Sequence, residues 1–201
     1  MSRIGILGGS FNPAHVGHRH ISLQALKRLQ LDEIWWLVSP QNPLKDRAEM
    51  APLSVRHASA RRMARGAPIR VTTLETELGT RYSVDTAKAL RQRYRRRHRF
   101  IWLIGSDNLV ELHRWRDWRS LARTLPIAVM ARPAYLGAAR RARAMGWLRR
   151  FVKSESRAKT WTEWSLPAIV FLNIPTDPTS ATALRATDPD WAARHLPTEK
   201  D

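Results

Sequence analysis

The chain contains no cysteine, which excludes a disulfide framework and a thiolate metal site. Any metal must therefore use oxygen or histidine ligands, or arrive with a substrate. No apolar run reaches the ~18 residues that a membrane helix needs. Residues 1–9 lack the basic start and long apolar stretch of a signal peptide. These absences predict a soluble cytoplasmic protein without a membrane partner.

Acidic residues are scarce, because 17 Asp and Glu stand against 35 Lys and Arg and leave a net charge of +18. This charge is compatible with nucleic-acid binding, with an enzyme whose small-molecule substrates are polyanions, or with solubility alone. The length of 201 residues and the hydrophobic share of 43% suit a single domain, residues 1–201, with a sizeable core. The net charge alone does not distinguish these three explanations.

Short apolar segments alternate with segments of helical periodicity along the chain. The segments that predict strands are residues 3–7, 33–38, 69–74, 100–104, 127–131 and 168–172. Those that predict helices include residues 18–29, 54–65, 83–97, 137–151 and 180–186. Continuously apolar strands are buried on both faces, which is typical of a parallel sheet. We therefore expect an α/β fold with a doubly wound parallel sheet.

The segment between the first strand and the first helix, residues 8–18, is GGSFNPAHVGH. Glycines at this position let backbone N–H groups approach a phosphate, and the helix N-terminus favours negative charge. His15 and His18 lie three residues apart, so both rings can point at one place and donate hydrogen bonds to phosphate oxygens. The segment predicts a polyphosphate site, although it contains neither G-x-G-x-x-G nor a P-loop.

This H-x-G-H segment resembles the signature of the nicotinate-nucleotide adenylyltransferases, a branch of the HxGH nucleotidyltransferase superfamily. The resemblance implies a Rossmann-like fold and transfer of AMP from ATP to nicotinate mononucleotide, giving nicotinate adenine dinucleotide and pyrophosphate. It implies that His15 and His18 are catalytic and contact the ATP phosphates. The ATP site would be lined by the residues that follow the first strand: Gly8, Gly9, Ser10 and Phe11.

Residues 179–185, TSATALR, resemble the family's I-S-x-T-x-I-R motif, with Thr179 where isoleucine is usual. Ser180 and Thr182 offer hydroxyls near a helix start, and Arg185 follows about one turn later. A guanidinium can neutralise phosphate charge. The resemblance implies that the three residues hold the ATP phosphates and that Arg185 is catalytic.

Two further segments resemble parts of the family. Gly105 and Asp107 belong to a G-x-D-x-L…W segment at the end of a strand, where a carboxylate can accept hydrogen bonds from ribose. Trp115 ends that segment, and the resemblance implies that it stacks on the pyridine ring. Trp35 and Trp36 are assigned to the core, and Trp118 is left open.

The remaining predicted substrate contacts also follow from resemblance. Residues 81–86, RYSVDT, resemble the S-Y-T-x-x-T motif that recognises the nicotinate carboxylate through N–H and hydroxyl groups. The predicted contacts are Tyr82, Ser83 and Thr86 in this segment, Asn42 and Lys45 in a proline-flanked loop that lacks the family's P-P-H stretch, and Arg132 in an R-P-x-Y turn.

The implied reaction needs no protein base, because the attacking mononucleotide phosphate is already an anion. Catalysis then consists of positioning and charge neutralisation, with Mg²⁺ arriving on ATP rather than in a protein cage. The predicted partners are therefore ATP and nicotinate mononucleotide.

Three alternatives stay open at this stage. Nicotinamide mononucleotide differs from the acid by a few hydrogen bonds. Phosphopantetheine adenylyltransferases and cytidylyltransferases usually have G-T-F-D with T-x-G-H, and they lack the SATALR form. The arginine-rich residues 91–99 and 140–150 suit a phosphate backbone, but no nucleic-acid fold signature accompanies them, so no specific nucleic acid is expected. The oligomeric state is not readable from the sequence.

Overall fold

The computed structural model describes residues 1–40, 50–131, 133–175 and 179–196. In this part of the chain, seven parallel strands form one sheet in the order β3-β2-β1-β4-β5-β7-β6. The strands are Ser2–Gly9 (β1), Glu33–Val38 (β2), Ile69–Thr72 (β3), His98–Gly105 (β4), Ile127–Ala131 (β5), Val152–Lys153 (β6) and Ile169–Asn173 (β7). The predicted doubly wound parallel sheet is confirmed.

Helices cover the sheet. The α-helices are Val16–Leu29 (α1), Leu53–Ala64 (α2), Leu74–Glu77 (α3), Ser83–Tyr94 (α4), Ser106–Glu111 (α5), Trp118–Thr124 (α6), Pro133–Arg141 (α7), Met145–Leu148 (α8) and Ala181–Thr187 (α9). The 3₁₀ helices are Leu112–Arg114, Arg149–Phe151, Glu155–Glu163 and Pro189–His195. Within the described ranges, no helix is both long and apolar enough to cross a membrane.

The strand order reverses between β1 and β4. From β1 the chain continues outward to β2 and β3, then returns to place β4 on the other side of β1. Leu7 is paired with Leu103, so Gly9 and Gly105, each two residues further on, end their strands at the same edge. In open α/β sheets, ligands bind outside the carboxyl ends of the strands at such a switch.

The core lies on both faces of the sheet, because successive side chains of a strand point to opposite faces. Ile6 and Trp35 belong to one buried cluster, whereas Leu7 and Trp36 belong to the other. Trp35 and Trp36 are 3% and 0% exposed, so their assignment to the core is confirmed. The two adjacent tryptophans therefore support different layers of the fold.

Several boundaries differ from the sequence prediction. β1 extends beyond the predicted end at residue 7 and finishes with Gly8 and Gly9, and Phe11 then adopts a left-handed conformation with φ of 47°. The third predicted strand stops at Thr72, and the four-residue α3 follows it. The helix predicted over 137–151 is divided into α7, α8 and a 3₁₀ turn. Such short elements carry too few residues for a periodicity to register.

Candidate active site

The two histidines of the H-x-G-H segment meet at the start of α1. His15 is the N-cap residue, His18 lies in the first turn, and their ring centroids are 3.9 Å apart. His15 is buried at 6% exposure, and His18 is half-buried. The structure therefore brings both rings together at the carboxyl edge of β1, as their spacing predicts.

A backbone hydrogen bond orients the His18 ring. The His15 N–H donates to His18 Nδ1 at 3.2 Å, as the return half of a capping box. Because Nδ1 is then an acceptor, the neutral ring carries its proton on Nε2. A ring in this tautomer presents an N–H donor on the side away from the backbone, which is what a phosphate oxygen requires.

A buried aromatic stack supports the same ring from below. Phe11 lies 4.8 Å from His18 and 5.0 Å from Trp36, measured between ring centroids. Trp36 Nε1 donates to Ser22 Oγ at 2.8 Å, and Ser22 Oγ donates to the His18 carbonyl at 2.8 Å. Trp36 and Ser22 are fully buried, so the core holds both the ring and the backbone of His18.

The glycine between the histidines is required by close packing. A Cβ atom on Gly17 would lie 2.9 Å from His15 Nδ1 and 3.2 Å from the Thr179 carbonyl oxygen. Real Cβ atoms essentially never approach another atom within 3.0 Å. Gly17 thus allows the His15 ring to lie against α1. It also leaves room for the Thr179 carbonyl, at the start of the TSATALR segment, beside the same turn.

The TSATALR segment docks on this turn. Arg185 Nη1 donates to the Asn12 carbonyl at 2.7 Å across 173 residues of sequence. Ser180 caps α9 by accepting the Ala183 N–H at 3.1 Å, and Thr182 is exposed in the first turn of α9. The structure therefore brings Arg185 to the histidine turn, while Ser180 already serves as a helix cap.

A buried arginine that the sequence analysis missed joins the strand ends. Arg56 is 1% exposed and donates to four backbone carbonyls: Ser10 at 2.7 Å, Ser39 at 2.8 Å, Ala51 at 2.8 Å and Pro40 at 3.2 Å. Burial lowers the pKa of its guanidinium. Arg56 therefore fixes the turn after β1 relative to the turn after β2.

The carboxyl end of β4 closes the other side of the switch. Gly105 is the N-cap of α5, and a Cβ atom there would overlap the Asp107 carboxylate. Ser106 is fully buried and donates to the Met130 carbonyl at 3.2 Å, which ties this turn to β5. Asp107 is exposed at the ligand edge, where its carboxylate can accept hydrogen bonds from hydroxyl groups.

The predicted pyridine-binding segments lie next to each other. Tyr82 is the N-cap of α4, and the Arg116 guanidinium lies 4.6 Å from the centroid of its ring. Tyr82 and Trp115 both pack, half-buried, against one core cluster. The structure thus brings the Tyr82–Ser83 turn together with the loop that carries Trp115.

Thr86 has a different environment from its neighbours in the motif. It is fully buried, and its hydroxyl contacts Glu75 Oε1 at 3.1 Å, the Tyr82 carbonyl at 3.2 Å and Thr80 Oγ1 at 2.9 Å. The sequence predicts a direct substrate contact for Thr86, whereas in the structure its hydroxyl lies beneath the Tyr82 turn and contacts protein groups. A hydroxyl without exposed surface can act on a ligand only through the backbone that it holds.

The remaining predicted residues are placed as follows. Trp118 is 7% exposed and lies edge-on to Trp147 at 5.5 Å, which assigns it to the core. Asn42, Lys45 and Arg132 lie outside the described residues. Among the described residues, no group of three His, Asp or Glu side chains is placed to hold a metal ion.

The arginine-rich surface is separate from this site. A groove of about 960 Å³ is bordered by basic residues near the amino ends of β4 and β5, opposite the histidine edge. Its cationic side chains are Lys88, Arg91, Arg95, Arg96, Arg99 and Arg123. The large positive charge of the chain is therefore concentrated partly on a surface that does not reach the H-x-G-H turn.

Comparison with known proteins identifies the family. Residues 6–187 match the cytidylyltransferase-like family. A relative from Erythrobacter litoralis, named probable nicotinate-nucleotide adenylyltransferase, is 55% identical over 96% of this chain and 88% of its own length. A relative of the same name from Cereibacter sphaeroides is 49% identical over 92% of this chain and 97% of its own length. The chain belongs to the nicotinate-nucleotide adenylyltransferase family.

Solved structures support the fold of this nucleotidyltransferase family. The nicotinic acid mononucleotide adenylyltransferase of Plasmodium falciparum, solved in complex with NaAD, is 17% identical and has a TM-score of 0.67. The match covers 92% of this chain and 83% of that one. The family that the H-x-G-H, TSATALR and RYSVDT segments predict is therefore confirmed, together with its Rossmann-like fold.

Proposed function

We propose that this protein transfers the adenylyl group of ATP to nicotinate mononucleotide, giving nicotinate adenine dinucleotide and pyrophosphate. The observation that carries the proposal is the convergence of His15, His18 and Arg185 at the carboxyl edge of β1, next to the strand-order switch. The substrates are proposed from family membership, since the relatives are named probable nicotinate-nucleotide adenylyltransferases.

The phosphate end of ATP lies at the histidine turn in this proposal. His15 and His18 donate to phosphate oxygens, and Arg185 adds a fixed positive charge beside them. Ser180 and Thr182 lie at the start of the same late helix and contact the outer phosphates. The fully buried Trp36 and Ser22 keep His18 in place without touching the substrate.

The nucleotide and the pyridine occupy the two sides of the switch. We assign Gly8, Gly9, Ser10, Gly105 and Asp107 to the ATP site, where the strands end. Phe11, at 1% exposure, serves the same site through the His18 ring that it supports. Tyr82, Ser83 and Trp115 form the pyridine end, which Thr86 supports from below. Asn42, Lys45 and Arg132 stay proposed substrate contacts outside the described residues.

The chemistry is an in-line displacement at the α-phosphorus of ATP. A phosphate oxygen of the mononucleotide forms the new P–O bond, the bond to the bridging oxygen breaks, and pyrophosphate leaves with the electron pair. The nucleophile is already anionic, so the protein positions it and neutralises the charge that develops. Mg²⁺ bound to the ATP phosphates would supply further charge neutralisation, held by phosphate oxygens and water.

We further propose that residues 1–201 act as one nucleotidyltransferase domain in the cytoplasm. The family match over residues 6–187 supports the single domain. The cytoplasmic assignment rests on the soluble metabolites that the proposed reaction consumes.

The test measures pyrophosphate release from ATP and Mg²⁺ with nicotinate or nicotinamide mononucleotide. We expect faster release with the nicotinate form, and we expect His18→Ala to lower kcat about 100- to 1,000-fold, as for loss of one preorganised donor. His20→Ala is the matched control, because His20 lies on the same helix but bonds the Pro175 carbonyl. Faster release with nicotinamide mononucleotide would move the substrate assignment, and full activity of His18→Ala would refute the role of that ring.

A further inference from the structure

A buried carboxyl lies next to the proposed pyridine end, and the described residues give it hydrogen bonds but no ion pair. Glu75 is in the first turn of α3 and only 7% exposed. None of the ion pairs found among the described residues includes it. A buried ionised carboxylate without a cation is costly, so the hydrogen bonds of Glu75 decide which protonation state the fold holds.

A count of donors and acceptors around Thr86 favours the neutral state. The Thr86 hydroxyl has one proton and two lone pairs, and it contacts three groups: the Tyr82 carbonyl, Thr80 Oγ1 and Glu75 Oε1. The Tyr82 carbonyl can only accept. If Glu75 is ionised it can also only accept, so two acceptors compete for one proton.

A neutral Glu75 removes this competition. Its O–H donates to Thr86, the Thr86 hydroxyl donates to the Tyr82 carbonyl, and the Thr80 hydroxyl donates to the second lone pair of Thr86. Each of the three contacts then has one donor and one acceptor. The Ser39 hydroxyl, which also bonds the Glu75 carboxyl, can donate to it in either state. Burial independently raises the pKa of Glu75.

This network ends on the turn that begins α4. The Tyr82 carbonyl accepts the Thr86 hydroxyl as well as the N–H groups of Asp85 at 2.9 Å and Thr86 at 3.1 Å. Ser83 and Val84 follow as the first residues of the helix, where N–H groups have no carbonyl partner within the helix. A negative charge on Glu75 would therefore lie beneath the place where an anionic ligand meets these donors.

We propose that Glu75 is a positioning and specificity residue, held as a neutral acid that donates to Thr86 and fixes the Tyr82–Ser83 turn to accept a substrate carboxylate. This inference rests on the proposed function. In this proposal α3 holds the protonated Glu75 beneath the Tyr82–Ser83 turn. Because Glu75 is neutral, the carboxylate of the substrate does not meet a like charge there.

The described charged groups around Glu75 belong to the helices and turns packed against it. Arg56 of α2 donates to the Ser39 carbonyl, and Arg81 and Arg116 lie against the Tyr82 ring. The nearby acids are Glu77, exposed on α3, and Asp85, half-buried on α4.

The first test compares KM for each substrate across pH in the parent and in Glu75→Gln, whose amide mimics the neutral acid. In the parent, we expect KM for nicotinate mononucleotide to rise about tenfold as Glu75 ionises at high pH, the equivalent of one hydrogen bond. KM for ATP stays constant. In Glu75→Gln the rise disappears, whereas in the exposed control Glu77→Gln it remains. Superimposable pH profiles of the parent and Glu75→Gln would overturn the proposal.

Thr86 variants separate positioning from folding. Thr86→Val keeps the shape but removes the hydroxyl, and we expect about a tenfold higher KM for the mononucleotide with little change for ATP. Thr86→Ser should restore the parent value. Equal increases for both substrates would indicate a general structural defect and would contradict the proposal.

An infrared measurement on the substrate-free protein tests the proton itself. We expect a protonated carboxylic acid band at neutral pH in the parent, absent from Glu75→Gln and present in Glu77→Gln. Absence of the band from the parent overturns the inference whatever the activity. A protein that has the band but forms no dinucleotide would refute the proposed function and leave the protonation of Glu75 established.

Discussion

Gly17→Ala is expected to separate activity from stability at the histidine turn. The new methyl group would lie 2.9 Å from His15 Nδ1 and 3.0 Å from His15 Cε1. An ordinary contact needs about 3.5 Å, so the ring must move by roughly 0.6 Å. The Thr179 carbonyl oxygen would lie 3.2 Å from the same methyl group, so a shift of α1 would have to clear it as well.

Two effects of Gly17→Ala on the free energy of unfolding nearly cancel, whereas the effect on the rate does not. Alanine is favoured over glycine in a helix by up to about 1 kcal/mol. Displacing the His15 ring from its rotamer costs about the same amount. The free energy of unfolding should therefore change by less than about 1 kcal/mol. Because a misplacement of about 1 Å costs about 100-fold in rate, we expect kcat to fall about 10- to 100-fold.

The assay is steady-state pyrophosphate release together with urea unfolding. Gly146→Ala is the matched control, since Gly146 is helical and a Cβ atom there meets nothing within 4 Å. The control should keep kcat and lose no stability. If Gly17→Ala retains the kcat of the parent, close packing against His15 is not what requires glycine. If it unfolds instead, the expected balance of the two terms is wrong.

Three further predictions concern the buried polar groups. Ser22→Ala leaves the Trp36 indole N–H without its acceptor, so the free energy of unfolding in urea should fall by about 1–3 kcal/mol, and an unchanged value would contradict the Trp36–Ser22 bond. A lysine at position 56 cannot reach four carbonyls, so Arg56→Lys should lower the free energy of unfolding by about 3 kcal/mol, measured by thermal unfolding. Arg61→Lys, on the exposed side of the same helix, should leave it almost unchanged. Burial raises the pKa of Glu75, so its stabilising effect is complete below the unfolded pKa of about 4.3 and is lost as pH rises through the folded value. Glu75→Gln should therefore gain stability relative to the parent as pH rises from the unfolded pKa through the folded one, by about 1.4 kcal/mol for each unit of pKa elevation, and a constant difference between the two proteins would refute the shift.

Local patterns were enough to predict the layers of the fold and the histidine pair. Continuous apolar segments identified the buried strands of the sheet, because a strand covered on both faces must be apolar throughout. The spacing of His15 and His18 at a helix start predicted that their rings would meet. These predictions succeeded because each depends on residues that are neighbours in sequence.

The TSATALR segment shows where local information ended. The sequence placed Arg185 about one turn into a helix, which the structure has as α9. Its contact with the Asn12 carbonyl joins residues 173 positions apart, and only the packing of the late helix against the first turn creates it. The resemblance predicted the role of Arg185 without the contact that holds it.

The sequence by itself determined the parallel α/β fold, the family and the meeting of the two histidine rings, because these depend on apolar patterns and on short motifs. Only the tertiary structure decided which polar residues lie beneath the site. Arg56 is one of 35 Lys and Arg residues, and nothing local marks it as the one that is buried. Thr86 looked like a substrate contact, yet its hydroxyl bonds Glu75 across 11 residues. The physical reason is that burial and hydrogen-bond partners depend on which elements pack together, and a local pattern does not contain that information.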